Sequence, residues 1–168
     1  LTMTYLEGTY LSYANLTYAN LEDAVLSYAD LYGADLRYAD LTNANLWNAS
    51  LISADLSYAD LTGAYLYYAD LSGAYLSEAD LTGADLEDVI LSYADLTNAS
   101  LNDAELDDAD LRYADLINAN LTGACLENAD LTGADLTGAD LTNVVWDWAI
   151  CPDGTNAYYH EQNCENSL

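Results

Sequence analysis

Leucine recurs at every fifth position from Leu1 through Leu141, and Trp146 takes the next slot. Two residues before the large residue sits a small one, Ala14, Ala19, Ala24 and onward to Ala139, with Val89 the single replacement in that run. Between them stands a polar residue, most often Asp or Asn, as in Asp30, Asp35, Asp40 and Asn45. The remaining two positions favour Ser, Thr, Tyr, Asn or Gly, as in Leu131-Thr132-Gly133-Ala134-Asp135. A fixed period over nearly the whole chain has to be explained before any local motif.

Five residues advance an α-helix by about 500°, which would scatter the leucines around its axis. A short extended segment serves better. Its first and third residues, Ala and Leu, point to one side and the Asp between them to the other. The last two residues of the unit then turn a corner. Extended segment plus corner, repeated, winds a solenoid with Leu and Ala inside and the other three positions outside. Tyr18, Tyr38 and Tyr58 recur at a spacing of 20, as do Tyr93 and Tyr113, and Thr42, Thr62 and Thr82 do the same. Four units per coil is the number this suggests.

The unit resembles the motif of the pentapeptide-repeat family, A(D/N)LXX with Leu or Phe at its centre, over about residues 4–149. The resemblance implies an all-β, right-handed, four-sided parallel β-helix of 20 residues per coil. On that geometry the chain makes about seven coils and a rod on the order of 34 Å long, from the ~4.8 Å spacing of neighbouring strands. Residues 1–150 are read as the β-helix and residues 151–168 as a C-terminal cap. The interior should be solid. Val89 overfills an Ala slot and is expected to distort its coil, whereas Ile90 faces outward.

From Trp146 the pattern fails. Pro152-Asp153-Gly154 signals a turn, and Trp146, Trp148 and Ile150 are suited to covering the last coil. Three cysteines allow three different single bridges. One between Cys151 and Cys164 would stabilise the tail by about 3 kcal/mol. Cys125 sits at an outward position, as a free thiol or an intermolecular bridge. The Cys-Pro-Asp-Gly-Thr start of the tail, with a later Cys, resembles the ends of exported or lumenal cyanobacterial pentapeptide-repeat proteins. That implies an extracellular, periplasmic or thylakoid-lumen location.

Composition sharpens the picture of the surface. Two Arg and no Lys face 29 acidic side chains, a formal charge of −27. Such a rod is repelled by nucleic acid and anionic lipid, and no run approaches the roughly 18 apolar residues of a membrane span. At 20-residue spacing Asp40, Asp60 and Asp80 stack on one side, Asp95, Asp115 and Asp135 on another, and Glu87, Asp107, Glu127 and Asp147 on a third. Ca²⁺ favours carboxylate oxygens, so weak binding to these ladders is an expectation. The competing view is that Asp suits an exposed turn and keeps the rod soluble. Spread over about 34 Å, the charge comes to about 0.8 per Å, against about 0.6 for duplex DNA.

Catalytic machinery is not evident, and no cofactor motif appears. His160 is the only histidine, and Ser57 and Ser92 sit at outward positions with no base in register. The sequence therefore reads as a non-enzymatic acidic scaffold that presents a surface. Tyr18, Tyr38 and Tyr58 with Asp40, Asp60 and Asp80 are the candidate interaction surface. Leu1, Met3, Tyr5 and Leu6 are the candidate end for stacking rods into a dimer or fibre. The alternative is a DNA mimic that binds a topoisomerase or another DNA-binding protein. Family members that protect gyrase from quinolones look like duplex DNA in size and charge; this chain departs from them in its lack of Phe and in its tail. The protein partner is not named by the sequence.

Overall fold

The computed structural model describes residues 4–157 and residue 164. Leu1, Met3 and His160 lie outside the described residues.

Each five-residue unit closes with a turn in which the Ala N–H donates to the carbonyl of the Leu three residues earlier, as in Ala14 to Leu11 at 3.0 Å. Only the third residue of each turn has a positive φ, the pattern of a type II turn. Glycine is at home there, but Tyr13, Tyr18, Tyr28, Tyr38, Tyr58, Tyr68, Tyr93 and Tyr113 adopt the same conformation with φ between 57° and 62°. For a residue with a Cβ this costs on the order of 1 kcal/mol. Stacking between coils offsets it. At two corners the ring leans over a glycine of the next coil, Tyr13 over Gly33 and Tyr113 over Gly133, and a β-carbon on Gly133 would lie 2.6 Å from the Tyr113 ring.

The polar slot has its own local reason. An Asp or Asn Oδ1 there accepts the N–H two residues on, as in Asp60 with Thr62 at 2.9 Å and Asn45 with Trp47 at 3.0 Å. A Thr or Ser hydroxyl often joins it, as Thr132 does to Asp130 at 2.6 Å. These are turn-forming bonds that Asp and Asn make readily. They account for the polar slot without any ligand.

Successive coils pair through single-residue parallel bridges at a spacing of 20, which gives four sides. Side 1 carries Tyr5, Val25, Asn45, Tyr65, Asp85, Glu105, Cys125 and Val145; side 2 begins at Tyr10, side 3 at Asn15 and side 4 at Asn20. Seven bridges lead from Tyr5 to Val145, so the rod has about seven coils. The winding is that of a right-handed quadrilateral β-helix, the hand expected when parallel strands are joined across one sheet. Between coils the Leu N–H donates to the carbonyl of the polar slot 19 residues later, as Leu61 does to Asp80 at 2.6 Å. The polar-slot N–H donates in the other direction, as Asp60 does to Ala39 at 2.9 Å.

The interior is a column of Leu and Ala, with every Leu from Leu26 to Leu131 at most 1% exposed. Val89 joins it without disturbing the ladder: Asp110 N–H still reaches the Val89 carbonyl at 2.9 Å, and Ile90 N–H reaches Ala69 at 3.0 Å. The ladder bonds on both sides of Val89 keep the lengths found elsewhere in the rod, so the expected distortion does not reach them. Ile90 does face outward.

At the C-terminal end the chain turns back. Cys151 N–H donates to Thr155, Ala157 N–H to Ala149, and Ile150 pairs with Asp130 on one side and antiparallel with Asn156 on the other. Cys151 and Cys164 are joined by a disulfide, and both are buried. Trp146 fills the Leu slot. Trp148 does not cover the end, contrary to expectation: it is the positive-φ residue of its turn, so its side chain points out of the rod and is exposed. Leu6, Leu11 and Leu16 at one end of the described rod, and Leu141 and Val144 at the other, are only partly buried.

Replacing Leu71 by Ala empties a packed site and should destabilise the rod by about 2–5 kcal/mol, read from denaturant unfolding. Asn102 takes a position that is Thr82 and Thr122 in the adjoining coils, and its Oδ1 is buried without a partner among the described residues. Asn102→Thr should therefore raise the melting temperature, since an unsatisfied buried acceptor is removed.

Candidate interaction surface

With the interior filled, the groups able to meet a partner are the polar slots and the two corner positions of each unit. The corner after side 3 carries Tyr18, Tyr38 and Tyr58. Their rings stack in register, with centroids 4.9 Å apart at both steps and planes within 9° of parallel. Tyr93 and Tyr113 form a shorter stack at 5.1 Å on the corner after side 2. Asp40, Asp60 and Asp80 bridge one another on side 4, two residues along the chain from the tyrosines, so aromatic and acidic columns run side by side. Tyr5 and Leu6, the described part of the candidate assembly end, lie in the first coil, Tyr5 exposed and Leu6 partly buried.

The chain's two cations occupy matching places. Ala34–Asp40 and Ala109–Asp115 are the same heptapeptide, Ala-Asp-Leu-Arg-Tyr-Ala-Asp. In each, the guanidinium forks onto the carboxylate two residues back, Arg37 on Asp35 and Arg112 on Asp110, each with a 2.6 Å contact. It also reaches toward the next coil's Asp, Asp55 at 3.5 Å and Asp130 at 4.0 Å. The Arg37 guanidinium holds the Asp35 carboxyl below its ordinary range, and Arg112 does the same for Asp110. Exposed pairs of this kind add little stability. Their effect is to lower repulsion inside two carboxylate columns.

Elsewhere the columns differ in a way charge alone hides. Asp135 and Asp140 stay readily ionised because Thr137 and Thr142 donate to them. Glu87 behaves oppositely: desolvation, and then Asp85, Asp88, Asp107 and Asp108 around it, push its carboxyl up. The Ca²⁺ expectation finds no focus here. Among the described residues no three His, Cys, Asp or Glu side chains converge to hold a metal ion. The slot carboxylates are spread along the rod and turned toward their own backbone N–H groups.

Cys125 is not the exposed thiol expected from its outward position. It is partly buried, and its Sγ–H donates to Asp107 Oδ1 at 2.9 Å. Burial, followed by that bond to a carboxylate, pushes the thiol up to about 11. The thiolate is the reactive form. Iodoacetamide should thus label Cys125 about a hundredfold more slowly at pH 8 than it labels an ordinary thiol, with the rate climbing through pH 10–11. Mass spectrometry of the labelled protein measures this, and Asp107→Asn should bring part of the rate back.

The feature that reading from the sequence missed is an aromatic group around side 1 and its corner, where Tyr28 meets Trp47 edge-on at 4.7 Å and Tyr67 lies against Tyr68 at 4.0 Å. Neither pair shares a column at a spacing of 20, so a search for identical residues at that period passes over both.

Comparison with known proteins agrees with this architecture. The family model described as "Pentapeptide repeats" matches in overlapping stretches from residue 4 to residue 143. The chain is similar to HetL, a pentapeptide repeat protein involved in heterocyst differentiation regulation from the cyanobacterium Nostoc sp. strain PCC 7120. Identity is 39% over 90% of this chain and 78% of that one, with a TM-score of 0.64. It is similar also to a pentapeptide repeat protein of the Arabidopsis thaliana thylakoid lumen, at 38% identity over 64% of this chain and 68% of that one, TM-score 0.30. QnrB1, a plasmid-mediated fluoroquinolone resistance protein, aligns at 20% identity over 85% of this chain and 90% of that one, TM-score 0.49. No curated protein sequence matches. Among the described residues no helix is long and apolar enough to cross a membrane. On its repeat, its register and its 39% identity to HetL, the chain belongs to the pentapeptide repeat family.

Proposed function

We propose that this protein is a non-catalytic acidic rod that acts as a scaffold, presenting its outer columns to a cationic protein partner. The observation that carries the reading is the filled interior: Leu and Ala occupy it from coil to coil, so recognition falls to the outside. That outside carries a formal charge of −27 and stacked tyrosines, and aromatic side chains are the usual anchors of protein interfaces. Tyr18, Tyr38 and Tyr58 beside Asp40, Asp60 and Asp80 form one candidate contact strip. The Cys151–Cys164 disulfide supports an oxidising compartment, extracellular, periplasmic or lumenal. The partly buried Leu6, Leu11 and Leu16 of the first described coil support end-to-end stacking.

A second reading has one specific observation in its favour. A charge of about 0.8 per Å is close to that of duplex DNA, so the rod also suits a protein that grips DNA.

Affinity capture from the native source, with and without reductant and at two salt concentrations, tests the scaffold reading. A basic partner retained at low salt, and lost when Tyr18, Tyr38 and Tyr58 are all changed to Asn, is the expected result. Salt-sensitive capture of a topoisomerase from the cytosol would favour the DNA mimic instead. Sedimentation across a hundredfold dilution tests stacking, and a strict monomer throughout would retire it.

A further inference from the structure

Set out by side, the exposed residues are unevenly distributed. Over the first four coils, side 1 and the corner after it carry Tyr5, Tyr28, Trp47, Tyr65, Tyr67 and Tyr68. Apart from partly buried Tyr67 these side chains are exposed, and Glu7 is the only charge among them. In the next two coils every residue at the same positions is acidic: Asp85, Glu87, Asp88, Glu105, Asp107 and Asp108. Glu127 and Asp147 continue the series. Neither Arg lies on this side; Arg37 and Arg112 occupy the corners after sides 3 and 2.

The turn geometry does not require this. A carboxylate in the polar slot is used by the fold, because it accepts the N–H two residues on. At the corner positions other coils use Ser, Thr, Asn, Gly or Tyr, with only scattered carboxylates such as Glu22, Asp23, Glu78 and Asp103. Asp88 and Asp108 take positive-φ positions that suit Asp, as they also suit Asn or Gly, and no turn requires Glu87 or Asp107. The corner aromatics are equally dispensable, since Ser27 and Asn48 fill the positions of Trp47 and Tyr68 in adjoining coils. Crowding the carboxylates carries a cost, visible in the upward push on Glu87.

We infer that the aromatic half of side 1 is a docking site for an extended segment of a partner protein. That segment bears apolar or aromatic side chains along one half and Lys or Arg along the other. The aromatic surface, whose one charge is Glu7, takes the apolar half, and the carboxylates in the following coils fix the sign and direction of the rest. Charge complementarity selects this occupant over the others. A second copy of the rod would bring like charge against coils five and six, and nucleic acid or an anionic membrane would be repelled by the same carboxylates. The full side is on the order of 34 Å long, the span of about ten extended residues. The inference rests on the scaffold reading and adds to it the place, the direction and the chemistry of the partner.

Two fluorescein-labelled peptides of twelve residues and identical composition provide the test. One has a Leu and Trp half followed by an Arg and Lys half; the other alternates the same residues. Anisotropy should show the block peptide binding at least tenfold more tightly. That advantage should vanish in Glu87→Gln/Asp88→Asn/Asp107→Asn/Asp108→Asn, and in Trp47→Ser/Tyr67→Ser/Tyr68→Asn. The single change Tyr68→Asn should weaken binding severalfold, and it serves if the triple variant melts early. Asp55→Asn/Asp95→Asn/Asp115→Asn/Asp135→Asn removes the same charge from side 3, opposite side 1, and should alter binding less than twofold. Equal binding of the two peptides, no binding of either, or an equal loss in the side 3 variant would overturn the assignment to side 1. Those results would leave the scaffold reading to stand or fall on its own capture experiment.

Discussion

The whole structure hangs on the leucine amide. Each Leu N–H donates across to the polar-slot carbonyl one coil away, as Leu61 does to Asp80 and Leu101 to Asn120, while the same residue's side chain points into the core. One residue thus fixes both the spacing between coils and the packing within them. Pairing 19 residues ahead is available only if four units bring the chain once round, and only if each unit turns by the same amount. The type II turn supplies that constant angle, and Ala supplies the small partner that lets four leucines meet at the axis without overfilling it. Stability then accumulates coil by coil as a sum of neighbour terms.

That constraint divides the surface into two kinds of position. The polar slot belongs to the fold, because its Asp or Asn holds the turn beside it. An aspartate ladder there is weak evidence of a ligand, however prominent it looks in the sequence. The corner positions are freer. What distinguishes one corner from another is the tyrosine stack after side 3, the aromatic group and the carboxylates after side 1, and the two Arg-Tyr corners. Sorting charges in this way converts a uniformly acidic chain into a rod with distinguishable sides. Sides, rather than net charge, are what a specific partner can recognise.

Particular residues show where reading from sequence works. Tyr18, Tyr38 and Tyr58 could be placed in one stack from their spacing alone, because a period of 20 carries residues back to the same corner. The same arithmetic put Asp40, Asp60 and Asp80 on one side. Val89 and Trp148 show the opposite. Whether a valine distorts its coil depends on the volume around it, which a period alone does not state. Whether a tryptophan covers the end depends on which turn position it occupies after the period has faltered. Cys125 is a third case: its outward slot was legible, but the coil below, which brings Asp107 against its sulfur and shields it, was not.

The family resemblance implied the four-sided winding, and the sequence by itself determined the repeat, the identity of the inward residues and the acidic exterior. These follow from periodicity, and periodicity is a local property that a chain states outright. Only the tertiary structure decided how the sides differ from one another. It joined Tyr28 to Trp47 and set six carboxylates of two successive coils beneath one aromatic surface. Contacts of that kind link residues about 20 positions apart and unlike in chemistry, so they come into existence only when the coils stack.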